Sequence, residues 1–111
     1  MPGNNLKYWE TGYVDCTSTT VPQFITKLRG GESITLKSHE NTGDNHRIGG
    51  NRVLISTQGY LLGAGETMTL TLPITFGANN YIEIYALPDA HANKAVSFFK
   101  LIGFIPETAG N

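Results

Sequence analysis

The stretch Gly65-Glu66-Thr67-Met68-Thr69-Leu70-Thr71-Leu72-Pro73 decides the fold class of this chain. Threonines alternate with apolar residues from Thr67 to Leu72, and the run lies between a glycine turn and a proline. A period of two places the apolar side chains on one face and the hydroxyls on the other, which predicts a half-buried β-strand. Threonine also favours extended backbone because its β-carbon is branched.

The same alternation recurs along the chain. Ile34 and Leu36 alternate with polar residues in Ser33–Lys37, and apolar residues alternate with Tyr and Glu in Tyr81–Ala86. Glycine-rich turn signals such as Gly30-Gly31 separate these runs. Many short strands with glycine turns between them predict an all-β protein, an antiparallel β-sandwich of jelly-roll type.

The ends of the chain differ in character from its middle. Pro2, Gly3, Asn4 and Asn5 resist regular structure, which predicts an extended N-terminal arm over residues 1–10. The sandwich domain is then expected over residues 11–105. Residues 106–111 are expected to form a loose C-terminal tail.

One six-residue pattern occurs twice in the sequence, and we call this pair of segments the echo. Gly31-Glu32-Ser33-Ile34-Thr35-Leu36 resembles Gly65-Glu66-Thr67-Met68-Thr69-Leu70 in its order of residue types. The echo has two interpretations: a duplicated unit, such as two equivalent strands in facing sheets, or the chance recurrence of a glycine turn that leads into a strand.

Composition excludes several classes of function. The chain has 111 residues, 15% charged residues and a formal net charge of -1. Scattered basic residues do not form the clustered patch that nucleic acid requires, so we expect no nucleic-acid partner. The single cysteine, Cys16, permits neither an intramolecular disulfide nor a cysteine-based zinc site, which fits folding in a reducing cytoplasm. The sequence shows no signal peptide and no apolar run long enough to span a membrane.

No assembled set of catalytic residues is visible, so we expect a protein that is not an enzyme and has no cofactor. Gly63-Ala64-Gly65 precedes a strand rather than a helix, so it is expected to be a hairpin turn and not a phosphate cradle. Cys16 is expected to be a small core residue. A metal-dependent enzyme of the cupin type is the remaining chemical alternative, and it requires His39, His46 and His91 to converge. Separately, His39, Glu40, Asp44 and His46 lie in one polar segment and are candidate ligands for a metal.

Two binding surfaces can be predicted. Large amphipathic or apolar side chains near the arm and near a glycine turn are candidates for a protein interface: Leu6, Tyr8, Trp9, Tyr60, Leu61 and Leu62. The alternative is a carbohydrate platform, because Tyr81, Glu83 and Tyr85 share one face of a strand and flat rings stack on sugars. Alternating tyrosines are equally typical of a packed layer or a protein interface.

Taken over its whole length, the chain resembles the capsid decoration ("staple" or cementing) proteins of epsilon15-like podoviruses. The resemblance rests on the arm Leu6-Lys7-Tyr8-Trp9-Glu10, the stretch Gly65–Pro73 and the bulky end Ser97-Phe98-Phe99-Lys100-Leu101-Ile102-Gly103-Phe104-Ile105. It implies a bacteriophage structural protein, made in the host cytoplasm, that binds the outer capsid surface of the virion. It further implies the major capsid protein as partner and a homodimer on a local two-fold axis.

Overall fold

Apolar and polar residues alternate along much of this chain, and that pattern favours extended β-strands. The computed structural model describes residues 9–39, 45–50 and 58–102. Within those residues it contains one short 3₁₀ helix, Ile74–Phe76, and eight β-strands. The strands are β1 (Trp9–Cys16), β2 (Gln23–Arg29), β3 (Ser33–Ser38), β4 (His46–Gly49), β5 (Tyr60–Leu62), β6 (Thr67–Thr71), β7 (Tyr81–Pro88) and β8 (Lys94–Leu101).

The strands form two four-stranded sheets. Sheet A has the order β1-β8-β3-β6, sheet B has the order β2-β7-β4-β5, and neighbouring strands are antiparallel. The predicted all-β antiparallel sandwich is therefore confirmed. The first strand pairs with the eighth in sheet A, and the second pairs with the seventh in sheet B. This nested order is the one a jelly roll of two Greek keys has, and the jelly roll remains our interpretation of it.

The hydrophobic core lies between the two sheets. Ile34 and Leu36 of β3 and Ile84 of β7 are buried, as their alternation predicted, and they pack with Leu28 and Val96. Met68 and Leu70 of β6 are partly buried against the same cluster. Full burial of one such aliphatic side chain contributes about 1.5–3 kcal/mol, so this layer holds the two sheets together.

The two echoing sequences form the same turn. The N–H of Glu32 donates to the C=O of Arg29 at 3.0 Å, and its Oε1 accepts the N–H of Arg29 at 2.8 Å. Glu66 repeats both hydrogen bonds with Gly63, each at 2.8 Å. The glycine before each glutamate has a positive φ, 87° at the first turn and 79° at the second. The echo is therefore a structural repeat.

The strands that follow these turns lie side by side. β3 and β6 pair antiparallel in sheet A, with Thr35 opposite Thr69. The glycine of each turn donates its N–H to a carbonyl at the end of the other strand. Gly31 donates to the C=O of Leu72, the residue after β6, at 2.9 Å, and Gly65 donates to the C=O of Ser38, the last residue of β3, at 2.6 Å. The pair thus has a pseudo-two-fold axis at its centre. Of the arrangements that the duplicated-unit interpretation allowed, the two strands do not lie in facing sheets but are neighbours in one sheet.

Two glycine turns have positions that the sequence did not predict. Gly63-Ala64-Gly65 connects β5 in sheet B to β6 in sheet A, so the expected hairpin turn is instead a crossing between sheets. Gly30 donates its N–H to the C=O of Gly77 at 3.2 Å, and a β-carbon on Gly30 would lie 2.5 Å from that oxygen. This backbone approach requires glycine at position 30.

The first strand begins earlier than the expected domain boundary. Trp9 and Glu10, which we assigned to the arm, are the first two residues of β1. Leu6 and Tyr8 and the remainder of the arm lie outside the described residues, as does the tail over residues 106–111. The part of the chain that the structure describes contains no helix that could cross a lipid bilayer.

Candidate functional site: the outer face of sheet A

Alternate residues of four strands form the outer face of sheet A. Because neighbouring strands are in register, these side chains align in three rows that run across the sheet. From β1 through β8 and β3 to β6, the rows are Trp9–Leu101–Ser33–Thr71, Thr11–Phe99–Thr35–Thr69 and Tyr13–Ser97–Lys37–Thr67. The bulky members all lie on β1 and β8, and the hydroxyl-bearing members lie mainly on β3 and β6.

The bulky half of this face is an exposed aromatic patch. We define the aromatic patch as Trp9, Tyr13, Phe99 and Leu101, which are 55%, 61%, 42% and 47% exposed. The rings of Trp9 and Phe99 lie 5.8 Å apart at a tilt of 32°, and the edge of His39 approaches Tyr13 at 5.1 Å. Large rings held by a strand have few rotamers to lose, so burying them under a partner is favourable.

The other half of the face is a threonine patch, defined as Thr35, Thr67, Thr69 and Thr71. The hydroxyls of Thr35 and Thr69 are hydrogen-bonded to each other at 2.9 Å. Lys37 is the only charged residue within the three rows. Beyond these rows, the same face carries the exposed Asp15 of β1. A face with two charged residues is less expensive to desolvate than a highly charged one, which suits contact with another protein surface.

The aromatic patch is supported from beneath by a close contact. Gly12 of β1 lies opposite Phe98 of β8, and both face the interior of the sandwich. A β-carbon on Gly12 would lie 2.3 Å from Cε2 of Phe98, so the ring occupies the space that any side chain at position 12 would need. Phe98 in turn packs against the core. This contact fixes β1 against β8 and so holds Trp9 beside Phe99.

The structure separates the predicted interface residues. Trp9 lies in the aromatic patch, whereas Tyr60 and Leu61 are exposed on β5 of sheet B. Leu62 is 1% exposed and belongs to the core, so its assignment as an interface residue was wrong: β5 turns it inward, next to His46. The predicted residues therefore do not form one surface.

The predicted carbohydrate platform lies on the outer face of sheet B, but neighbouring side chains already contact its tyrosine residues. The Nζ of Lys27 sits 4.5 Å from the centre of the Tyr81 ring. The edge of Phe24 meets Tyr85 at 5.7 Å, and the hydroxyl of Tyr85 donates to Oε1 of Glu83 at 2.9 Å. A sugar ring would have to displace these contacts before it could stack.

The histidines do not converge. His46 is fully buried, with Nδ1 2.7 Å from the Ser38 hydroxyl and Nε2 3.3 Å from the Lys94 carbonyl. Since a carbonyl only accepts, Nε2 carries a proton. His39 contacts Tyr13, and His91 lies in the exposed turn before β8. Glu40 and Asp44 lie outside the described residues, and within those residues no three His, Cys, Asp or Glu side chains form a metal-binding group.

Two further features, the buried Cys16 thiol and a cavity beside Lys100, resemble functional sites, but burial and internal contacts account for both. Burial raises the pKa of the Cys16 thiol to about 12, and the Asp15 carboxylate adds to the rise, so the thiol is a poor nucleophile at neutral pH. A cavity of about 320 Å³ lies between β1, β2 and β8. Its Lys100 ammonium donates to the Lys27 carbonyl at 3.0 Å and lies 3.9 Å from Glu32, so its charge is partnered from within.

Tyr13, Phe99 and Leu101 are site residues that sequence reasoning did not assign to the interface. A signal for them existed, because Trp9, Thr11 and Tyr13 have the spacing of one strand face, while Gly12 and Val14 occupy the other. Phe99 and Leu101 have the same spacing. What the sequence did not supply is that β1 and β8 are neighbours, which brings the two pairs together.

Comparison with known proteins adds little to this geometry. No protein-family model matches the sequence, and no curated protein matches it. Among solved structures, the chain is similar to a de novo designed double-stranded β-helix, with 9% sequence identity and a TM-score of 0.49. The similarity covers 86% of this chain and 97% of the designed one.

Proposed function

We propose that this chain is a non-enzymatic structural protein that docks on another protein through the outer face of sheet A. The observation that carries the proposal is the aromatic patch, in which Trp9, Tyr13, Phe99 and Leu101 lie together and exposed. Exposed aromatic anchors beside a low-charge polar surface are the composition of a protein interface, in which a few desolvated rings supply most of the affinity.

The proposed partner is the major capsid protein of a tailed bacteriophage, bound at the outer surface of the virion. The resemblance of the whole chain to decoration proteins supports this setting, and the docking face suits it. A capsid presents the same surface many times, so contacts of modest strength suffice when many copies bind. In this arrangement the domain bridges neighbouring capsid subunits and stabilises the contacts between them.

The face of sheet A is better suited to a protein than to a sugar. Trp9 and Phe99 are tilted towards each other at 32°, so they do not form one plane on which a sugar ring could lie flat. The rest of this face offers mainly hydroxyls, together with two charged residues, Lys37 and Asp15. The experiment must therefore also be able to detect carbohydrate binding.

The test is co-sedimentation with capsids of the virus that encodes this chain, prepared without it, alongside beads that carry glycans. We expect saturable pelleting with the capsids and no retention on the beads. The variant Trp9→Ala should pellet more weakly, whereas Tyr81→Ala, on the other sheet, should pellet like the unmodified chain. Retention on glycans without capsid pelleting would replace the proposal with the carbohydrate alternative.

A further inference from the structure

The four edge strands of the two sheets are protected unequally. β1 carries Glu10 and Asp15, β2 carries Lys27 and Arg29 and has an irregular register, and β5 has only three residues. Charges, bulges and short length are the devices that keep an edge from pairing with another chain. β6, Thr67–Thr71, has none of them: it contains no charge, no proline and no bulge.

Among the described strands none pairs with the outer side of β6, which we call its open edge, and that edge offers its backbone in a regular pattern. The N–H of Leu72 and the C=O of Glu66 are both hydrogen-bonded towards β3, at 3.0 and 3.2 Å. In an antiparallel ladder alternate residues bond to the same neighbour, so Met68 and Leu70 also bond to β3. The N–H and C=O groups that point to the open edge of sheet A are therefore those of Thr67, Thr69 and Thr71.

The molecule already pairs β6 with a near-copy of itself. On its inner side β6 lies antiparallel to β3, the equivalent strand of the structural repeat, about a pseudo-two-fold axis at Thr35 and Thr69. Ser33-Ile34-Thr35-Leu36 and Thr67-Met68-Thr69-Leu70 thus fit each other as antiparallel neighbours. A second copy of β6 presents the same pattern of hydroxyl and apolar residues to the open edge.

We propose that β6 pairs antiparallel with β6 of a second copy, about a two-fold axis through Thr69. Thr69 then lies opposite its own counterpart, Thr67 lies opposite Thr71, and Met68 lies opposite Leu70. Each threonine pair exchanges two backbone hydrogen bonds, which satisfies the open donors and acceptors. The register places threonines beside threonines on the outer face and apolar side chains beside apolar side chains on the inner face.

This pairing goes beyond the proposed function and does not depend on it. Two copies of sheet A become one continuous eight-stranded sheet, with the threonine patches joined at its centre. An aromatic patch lies at each end of that sheet. The contact is isologous, so it closes after two copies and does not propagate into fibres.

The test uses the full chain in sedimentation velocity over a concentration series from about 1 µM to about 1 mM, the range of weak reversible association. A charge at Thr69 should abolish dimers, because the two-fold axis places like charges directly opposite each other. Thr69→Lys and Thr69→Glu are thus each expected to stay monomeric. An equimolar mixture of the two should form heterodimers, since opposite charges then meet.

Thr35→Lys is the matched control. Thr35 lies on the same outer face, one strand further from the axis. The lysines introduced at this position in the two copies are far enough apart for salt to screen most of their repulsion. This variant should dimerise like the unmodified chain. A chain that is monomeric at every concentration overturns the proposal, as does a mixture of the two Thr69 variants without heterodimers. Loss of dimers in Thr35→Lys also overturns it, because contact would then run through the sheet face.

Hydrogen exchange of the unmodified chain gives a readout that needs no substitution. The amides of Met68 and Leu70 should be protected at all concentrations because they bond to β3. The amides of Thr67, Thr69 and Thr71 should exchange rapidly in dilute solution and become protected as the concentration rises. Protection of these three amides that does not change with concentration would contradict the pairing.

Discussion

The outer faces of the two sheets carry similar numbers of aromatic rings but use them differently. On sheet A, Trp9 and Phe99 contact each other and turn the rest of their surface outward. On sheet B, neighbours on the same sheet engage two tyrosine rings: Lys27 engages Tyr81, and Phe24 and Glu83 engage Tyr85. The difference teaches that the number of aromatic residues does not identify a docking face. What identifies it is whether nearby side chains already occupy the rings.

Charge separates the two faces in the same way. Sheet B places Lys27 beside Glu83 and Arg29 beside Tyr81, so a partner would have to remove water from several charged groups. The outer face of sheet A carries Lys37 within its three rows and Asp15 beyond them. Because desolvation of charged groups opposes binding, sheet A is the face on which a partner gains most from covering the rings.

The sharpest way to break this comparison is to remove the rings from one face at a time. Trp9→Ala combined with Phe99→Ala should weaken capsid co-sedimentation by about 100-fold or more, because buried aromatic anchors dominate interface energies. The matched variant Tyr81→Ala combined with Phe24→Ala removes two rings from sheet B. It should leave the apparent dissociation constant within about threefold of the original.

Circular dichroism must show that both double variants remain folded. If the sheet B variant weakened pelleting as much as the sheet A variant, the comparison between the faces would fail. The docking surface would then have to be sought on sheet B.

A second change acts beneath the aromatic patch. Gly12→Ala places a methyl group where the Phe98 ring now lies, and overpacking of this kind destabilises by about 1–3 kcal/mol. Thermal or urea unfolding should show the loss. Thr11→Ala, the neighbouring residue with an exposed side chain, should change the free energy of unfolding by less than about 0.5 kcal/mol. Equal effects would mean that the patch does not depend on this contact.

Much of the fold could be predicted from the sequence because alternation is a local signal. The faces of β3 and β7 followed directly from Ile34, Leu36 and Ile84. Strand order could not be predicted, because alternation says which way a side chain faces and nothing about which strand lies beside it. The echo at Glu32 and Glu66 was visible in the sequence, yet only hydrogen bonds to equivalent partners distinguished a repeat from a chance recurrence.

The site was less predictable for the same reason. Trp9 was recognised as an anchor, but its neighbour Phe99 is 90 positions away in the sequence and becomes adjacent only through the pairing of β1 with β8. Leu62 was an interface candidate because a glycine turn follows it, and a place in the core was the open alternative. Its inward orientation depends on how β5 pairs with β4, which no local pattern encodes. The spacing of Tyr81, Glu83 and Tyr85 indicated that they share one face of a strand, but it gave no sign that Lys27 lies over the Tyr81 ring.

The buried Cys16 thiol, in the interior between the two sheets, makes the stability of the fold depend on pH. The pKa of Cys16 rises from 9.0 to about 12 in the folded chain. Below pH 9 the thiol is protonated in both the folded and the unfolded chain, so it adds no pH dependence. Between pH 9 and 12 the unfolded chain loses this proton and the folded chain keeps it. The free energy of unfolding should therefore fall by about 1.4 kcal/mol per pH unit from this group.

Cys16→Ala provides the control for this pH dependence, because other groups also titrate in alkaline solution. The difference between the two pH profiles of urea unfolding isolates the thiol. We expect the original chain to lose stability more steeply than the variant above pH 9, with the difference levelling off near pH 12. Parallel profiles would show that burial does not hold the thiol neutral.

The smallest expected effect comes from removing a single tyrosine hydroxyl from each face. Tyr85→Phe removes the hydroxyl that donates to Glu83, and loss of one such hydrogen bond costs about 1 kcal/mol of stability. The hydroxyl of Tyr13 has no hydrogen bond within the part of the chain that the structure describes, and its side chain is 61% exposed. Tyr13→Phe should accordingly leave the free energy of unfolding unchanged. Urea unfolding of the two variants side by side makes the measurement. A larger loss in Tyr13→Phe than in Tyr85→Phe would mean that the tyrosine on sheet A, and not the one on sheet B, is committed to holding its own domain together.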